Sequence, residues 1–136
     1  MPLYKYKQGE SQLFGIIKRP LMELEVYSLK LETWVFFEDV LVDTGADICL
    51  LPRHLGELIV VDISKGIFKK IRGVVPNTFL HGYIHQIKIR VDNKEFIAPV
   101  FIADAEDVTP IFGRGKALDL FIAEFDGETT KVEEKK

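Results

Sequence analysis

The sequence predicts an all-β fold, and three observations carry that prediction. β-Branched and aromatic residues come in short runs, several runs alternate apolar with polar, and turn chemistry separates them. No long stretch keeps a helical period. Arg19-Pro20-Leu21 opens a first clear strand, in which Met22, Leu24 and Val26 alternate with Glu23, Glu25 and Tyr27, the pattern of one buried face. A second strand is expected over about 32–42, ending on Asp43. Val74-Val75-Pro76-Asn77-Thr78 has the composition of a tight turn at an exposed tip. Ile87, Ile89 and Val91 alternate up to Asp92-Asn93, and a further apolar run follows, which is a hairpin signature. Only 113–121, Gly-Arg-Gly-Lys-Ala-Leu-Asp-Leu-Phe, looks helical, with Ala117, Leu118 and Phe121 on one side and two glycines limiting it to about two turns. Asp126-Gly127 fits a last turn, and 127–136 reads as a mobile charged tail.

With 136 residues the chain is expected to form one domain, its core over about 11–126. At 47% hydrophobic and 29% charged it has the composition of an ordinary globular protein, and a net charge of −3 offers no basic surface for nucleic acid or anionic lipid. The longest apolar runs, such as Leu58–Val61, fall far short of the roughly 20 residues a membrane helix needs. The single cysteine, Cys49, cannot pair internally, and the N-terminal residues lack the apolar stretch of a signal peptide. A reducing, cytoplasmic setting without nucleic acid or membrane partners is the expectation.

One carboxylate stands out. Val40-Leu41-Val42 leads directly into Asp43-Thr44-Gly45, followed by Ala46-Asp47 and a second apolar run ending in Leu51-Pro52. An ionised carboxylate at the end of a buried strand is costly unless it is paired, hydrogen-bonded or shares a proton. As a catalytic group, Asp43 would be fixed by the strand, Thr44 would supply a supporting hydroxyl, and Gly45 would let backbone N–H groups approach closely. The alternative is a structural aspartate that caps a turn.

In this context the sequence resembles the retropepsins, the single-lobe retroviral-like aspartic proteases. A second element, Pro110-Ile111-Phe112-Gly113-Arg114 leading towards a short helix, looks like the family's second signature, and Arg19-Pro20-Leu21 has its counterpart upstream. The resemblance covers about 17–121, with 69–89 in the place of the flap hairpin. It implies a closed-barrel-like fold with a flap and one short C-terminal helix. The Asp-Thr-Gly triplet occurs once in this chain, so the resemblance implies a homodimer with one symmetric site. There two Asp43 carboxylates would activate a water for endopeptidase cleavage of an extended polypeptide, without metal or organic cofactor.

By the same resemblance Thr44 would interlock with its twin, and Ala46, Asp47, Gly73, Val74, Val75 and Ile111 would contact substrate. Arg114 would pair with Asp47 in one subunit, and Arg19 would reach the partner's Asp47. The sequence departs from the family at the flap tip, which has one glycine and a proline, and after Arg114, where Gly115-Lys116 intervene. A non-catalytic dimerisation or peptide-binding module with the same fold is the alternative function. Cys49 reads as a small buried hydrophobe, His54 as a surface turn residue, and His81 with His85 as a pair lacking the third ligand that zinc ordinarily needs.

Overall fold

A computed structural model of the chain describes residues 3–72 and 77–135. Strands β1 (Leu3–Lys5), β2 (Lys7–Ser11) and β3 (Gly15–Arg19) precede the main body. β4 (Leu21–Ser28), β5 (Thr33–Val42) and β6 (Cys49–Leu51) then lead into the one α-helix, α1 (Arg53–Ile59). β7 (Ile67–Arg72), β8 (Phe79–Val91), β9 (Lys94–Ala103) and β10 (Ile111–Phe112) follow, and β11 (Phe121–Phe125) and β12 (Thr129–Glu134) end the chain. Six strands in the order β4-β5-β10-β6-β9-β8 form a barrel that closes where β8 pairs with β4, through Glu25–Arg90 and Val26–Ile89. β7 pairs with β8 outside this ring. β1, β12 and β11 make a separate three-stranded sheet, and β2–β3 a hairpin by itself. The fold is all-β, as the sequence predicts, with one short helix.

The strand patterns explain the core. Met22, Leu24 and Val26 point inward from β4, while on β5 the inward positions change phase: Phe37 is buried, then Val40 and Val42. A bulge causes the change. Met22 pairs with Val40 but Leu24 with Phe37, and the extra residue leaves Asp39 in the left-handed region at φ 58°. Because of this slip, Val42 ends β5 facing the core and Asp43 emerges at the barrel rim.

Asp92, at φ 55°, turns β8 into β9, and Asp126-Gly127 turns β11 into β12, both at the expected places. Two other expectations are corrected. The C-terminal helix is a single 3-10 turn, Leu118–Leu120, because Lys116 adopts φ 54° and interrupts any longer helix. The expected mobile tail is largely strand: β12 pairs with both β1 and β11, and Thr130 and Val132 are buried.

The α-helix lies instead at α1, after Pro52. Gly56 makes its docking possible, since a Cβ there would come within 2.3 Å of Ile102 Cγ2. Its terminal carbonyls are met by the β4–β5 turn, with Ser28 Oγ donating to Leu58 O at 2.6 Å and Leu29 N to Ile59 O at 2.9 Å. Among the described residues no helix is long and apolar enough to cross a membrane.

Candidate active site

β5 and β10 run parallel, with Leu41 beside Ile111 and Val42 beside Phe112. Two segments nearly seventy residues apart in sequence therefore leave the barrel side by side, one as Asp43-Thr44-Gly45-Ala46-Asp47 and the other as Gly113-Arg114-Gly115. Backbone hydrogen bonds knit them together. Asp43 N donates to Phe112 O at 3.2 Å, Arg114 N to Ala46 O at 2.8 Å and Gly115 N to Asp47 O at 2.8 Å. Their approach requires glycine: a Cβ at Gly113 would lie 2.3 Å from Ile48 O, and one at Gly115 2.6 Å from Asp47 O. Upstream, Pro20 O accepts from Val42 N at 3.0 Å, and Pro110 O accepts from Leu41 N at 2.9 Å.

Asp43 is half-buried, and its carboxylate is held at one oxygen. Gly45 N donates to Asp43 Oδ1 at 2.8 Å, and Ala46 N closes the turn onto Asp43 O at 3.3 Å. This bond from a backbone N–H fixes the side chain's direction. Ala46 is half-buried, while Thr44 and Asp47 are exposed beside it. Ile111 is half-buried on β10. The described geometry thus brings Asp43, Thr44, Gly45, Ala46, Asp47, Ile111 and Arg114 to one end of the barrel.

The expected ion pair between Arg114 and Asp47 is replaced. Arg114 Nε bonds to Asp119 Oδ1 at 3.0 Å, and it is this carboxylate above all that holds the guanidinium in its charged form, with Asp47 a weaker through-space contributor. The reason is local. After the glycine turn the chain folds back, with Asp119 N donating to Arg114 O at 3.0 Å, so the Asp119 side chain arrives before any more distant acid can. The Arg-x-x-x-x-Asp spacing carries a trace of this pairing, but Asp47 is equally acidic and only the turn geometry chooses between them. Arg19, at the end of β3, lies across the β2–β3 hairpin, where a Cβ on Gly9 would come within 2.7 Å of its Nε.

β7 and β8 form a hairpin, in register from Ile67–Ile84 to Arg72–Phe79. The expected flap residues Gly73, Val74 and Val75 lie outside the described residues. The arms below them are tied by aromatic contacts, Phe68 meeting Tyr83 edge-on at 5.5 Å and His81 at 5.9 Å, with Lys70 Nζ 4.6 Å from the Phe79 ring. His85 bonds Ile63 O through Nε2 at 2.7 Å, so its ring fastens β8 to the preceding turn. Cys49 is buried in the core, and burial pushes its thiol up to about 11.

No family model and no curated protein matches the sequence. Solved structures do. A retropepsin-like aspartic protease from Rickettsia conorii aligns over 96% of this chain and 91% of its own length, with a TM-score of 0.57 at 13% identity. EIAV protease, in complex with the inhibitor HBY-793, aligns over 71% of this chain and 83% of its own, with a TM-score of 0.48 at 22% identity. At these identities the likeness is one of architecture: over nearly its whole length the chain has the retropepsin-like fold.

Proposed function

We propose that the chain is a homodimeric aspartic endopeptidase. The observation that carries this reading is the parallel pairing of β5 and β10, which sets Asp43, with its carboxylate oriented by Gly45 N–H, against the Gly-Arg-Gly turn at one open rim of the barrel. One chain supplies a single such carboxylate, and a two-fold axis beside Thr44 would bring a second. Two carboxylates about 3 Å apart cannot both ionise, so the pair would hold one proton between them. The ionised member would take a proton from water as its oxygen attacks the peptide carbonyl, and the protonated member would give its proton to the carbonyl oxygen. Return of a proton to the amide nitrogen would then release the amine as the C–N bond breaks.

The substrate would lie extended between the β7–β8 hairpin, closed by Gly73, Val74 and Val75, and a floor of Ala46, Asp47 and Ile111. A closing hairpin excludes water and strengthens every electrostatic interaction inside. Apolar residues flanking the scissile bond suit that lining.

The test is incubation of wild type and Asp43→Asn with an unstructured protein from acidic to neutral pH, scoring new termini by mass spectrometry. We expect cleavage by wild type to rise more than linearly with enzyme concentration, and Asp43→Asn to lose on the order of 10²–10⁴ in rate. Saturable peptide binding without cleavage, the same in both proteins, would instead identify a binding module.

A further inference from the structure

The β2–β3 hairpin pairs in register from Lys7–Arg19 to Ser11–Gly15 and, among the described residues, forms a two-stranded sheet of its own, tied to β5 by the Lys7–Asp39 ion pair rather than by a strand ladder. Such hairpins are marginal in water without something to pack against. Its tip carries large apolar side chains into solvent, with Leu13 85%, Phe14 76% and Ile16 71% exposed. Together they present roughly 400 Å² of apolar surface, in the range of the largest patches on monomers, which are often functional.

The hairpin's base lies on the same face as the candidate site. Pro20, directly after β3, accepts the hydrogen bond from Val42 N, one residue before Asp43. At the other side of the base, Lys18 pairs with Glu128 at 3.0 Å and Tyr6 N donates to Glu128 O at 2.8 Å, which fixes the hairpin beside the β11–β12 turn. A groove lined by Thr44, Arg114, Ala123 and Phe125 runs from the Asp43 loop towards that turn. The Asp43 loop, the groove and the hairpin base therefore form one continuous surface. A five-residue strand carries the tip about 17 Å from its base.

We propose that the β2–β3 hairpin is an exchange arm that docks on a second copy of this chain, its Leu13, Phe14 and Ile16 covering the partner's groove between Thr44 and Phe125. This rests on the two-fold reading of the Asp43 site. The size of the interface argues for the same occupant. A stable interface buries about 800 Å² per partner, and two five-residue loops meeting at an axis fall well below that, while each arm adds on the order of 400 Å².

Sedimentation velocity on wild type and on the double variant Leu13→Lys, Phe14→Glu tests the arm. Both side chains are exposed, so the circular dichroism spectrum should be unchanged, while the dimer dissociation constant should rise at least tenfold. Cleavage per enzyme should fall at low concentration and recover at high. As a second measurement, Phe14→Cys is mixed with Phe125→Cys and treated with a bismaleimide, Cys49 being buried. A cross-linked heterodimer should form in the mixture and far less in either variant alone.

An unchanged dissociation constant, a wild type that stays monomeric, or a mixture that fails to cross-link would overturn the arm. The two readings fail separately. Asp43-dependent cleavage with an unaltered dissociation constant would sink the arm and leave the protease standing, whereas an arm-dependent dimer that cleaves nothing would do the reverse.

Discussion

On β9, Phe101, Ile102 and Ala103 are fully buried at three consecutive positions, whereas on β11 burial alternates from Phe121 inward to Ile122 outward, and Phe125 at the strand's end is 41% exposed. The difference follows from what covers each strand. β9 lies between β6 and β8 and carries α1 on its outer side, so both faces are enclosed. β11 is the edge of the terminal sheet, packing one face on the barrel and leaving the other open. The end of β9 thus spends its apolar residues on enclosed surface, while elsewhere the barrel leaves Phe36 and Ile97 exposed, and backbone contacts hold the Asp43 loop. β11 keeps Ile122 and Phe125 outward, and Phe125 lines a groove together with Thr44 of that loop.

The widest separation between the two regions should appear in Phe112→Ala against Phe125→Ala. Phe112 is 1% exposed and packs between Phe96 and Phe121, with ring centroids at 6.3 and 6.2 Å, and its carbonyl accepts the hydrogen bond from Asp43 N. Truncating a fully buried phenylalanine costs about 3–5 kcal/mol through lost transfer energy and a residual cavity. A side chain as open as Phe125 should cost less than about 1 kcal/mol. Denaturant unfolding of both variants, in conditions where the chain is monomeric, measures the contrast. Comparable losses would mean that the terminal layer is as much core as the barrel.

The same contrast governs what could be read in the sequence. Met22, Leu24 and Val26 announce β4 because a strand with one wet face writes its period into the chain, and Asp92-Asn93 and Asp126-Gly127 announce turns through their own chemistry. α1 stayed hidden because it is short and has a glycine at its centre. Only Leu55 and Ile59, four apart after Pro52, hint at it, and its stability comes from the fit of Gly56 on Ile102. β12 looked like a tail because Lys131, Glu133 and Glu134 dominate its composition, although Thr130 and Val132 carry the period of a strand. Asp43 and its loop were legible as a motif. Their junction with Gly113-Arg114-Gly115 was not derivable locally, since it depends on a parallel pairing across the barrel, and neither was the choice of Asp119 over Asp47 as partner for Arg114.

A smaller effect, of opposite sign, should mark the terminal layer as the less optimised region. Thr130 is fully buried on β12, and among the described residues nothing bonds its hydroxyl. A buried polar atom without a partner forfeits its hydration for no return, so an apolar replacement of the same shape removes a penalty. Thr130→Val should stabilise the protein by about 1 kcal/mol, seen as a rise in the thermal midpoint. A fall would show that the hydroxyl is satisfied after all, and that the layer is as fully paired as the barrel.

The weakest effect lies on the barrel's outer surface, where β4 and β8 close the ring. Arg90 donates to Glu25 through Nη2 at 2.7 Å and Nε at 3.2 Å, and the guanidinium lies 4.1 Å from the centre of the Trp34 ring. The hydrogen bond from Arg90 is the main reason that the Glu25 carboxyl sits below its ordinary value of 4.5. A carboxylate with a depressed value in the folded chain binds protons more readily when unfolded, so its contribution is complete above pH 4.5 and is lost as the pH falls through the lower folded value. Both side chains are partly exposed, which keeps the effect small and sensitive to salt. Thermal midpoints of wild type and Glu25→Gln should therefore differ modestly at neutral pH and converge in acid, with the gap narrowing at high ionic strength. A gap that persists in acid would mean that Glu25 closes the barrel by packing and geometry rather than by charge, and the seam between β4 and β8 would then belong energetically with the enclosed interior.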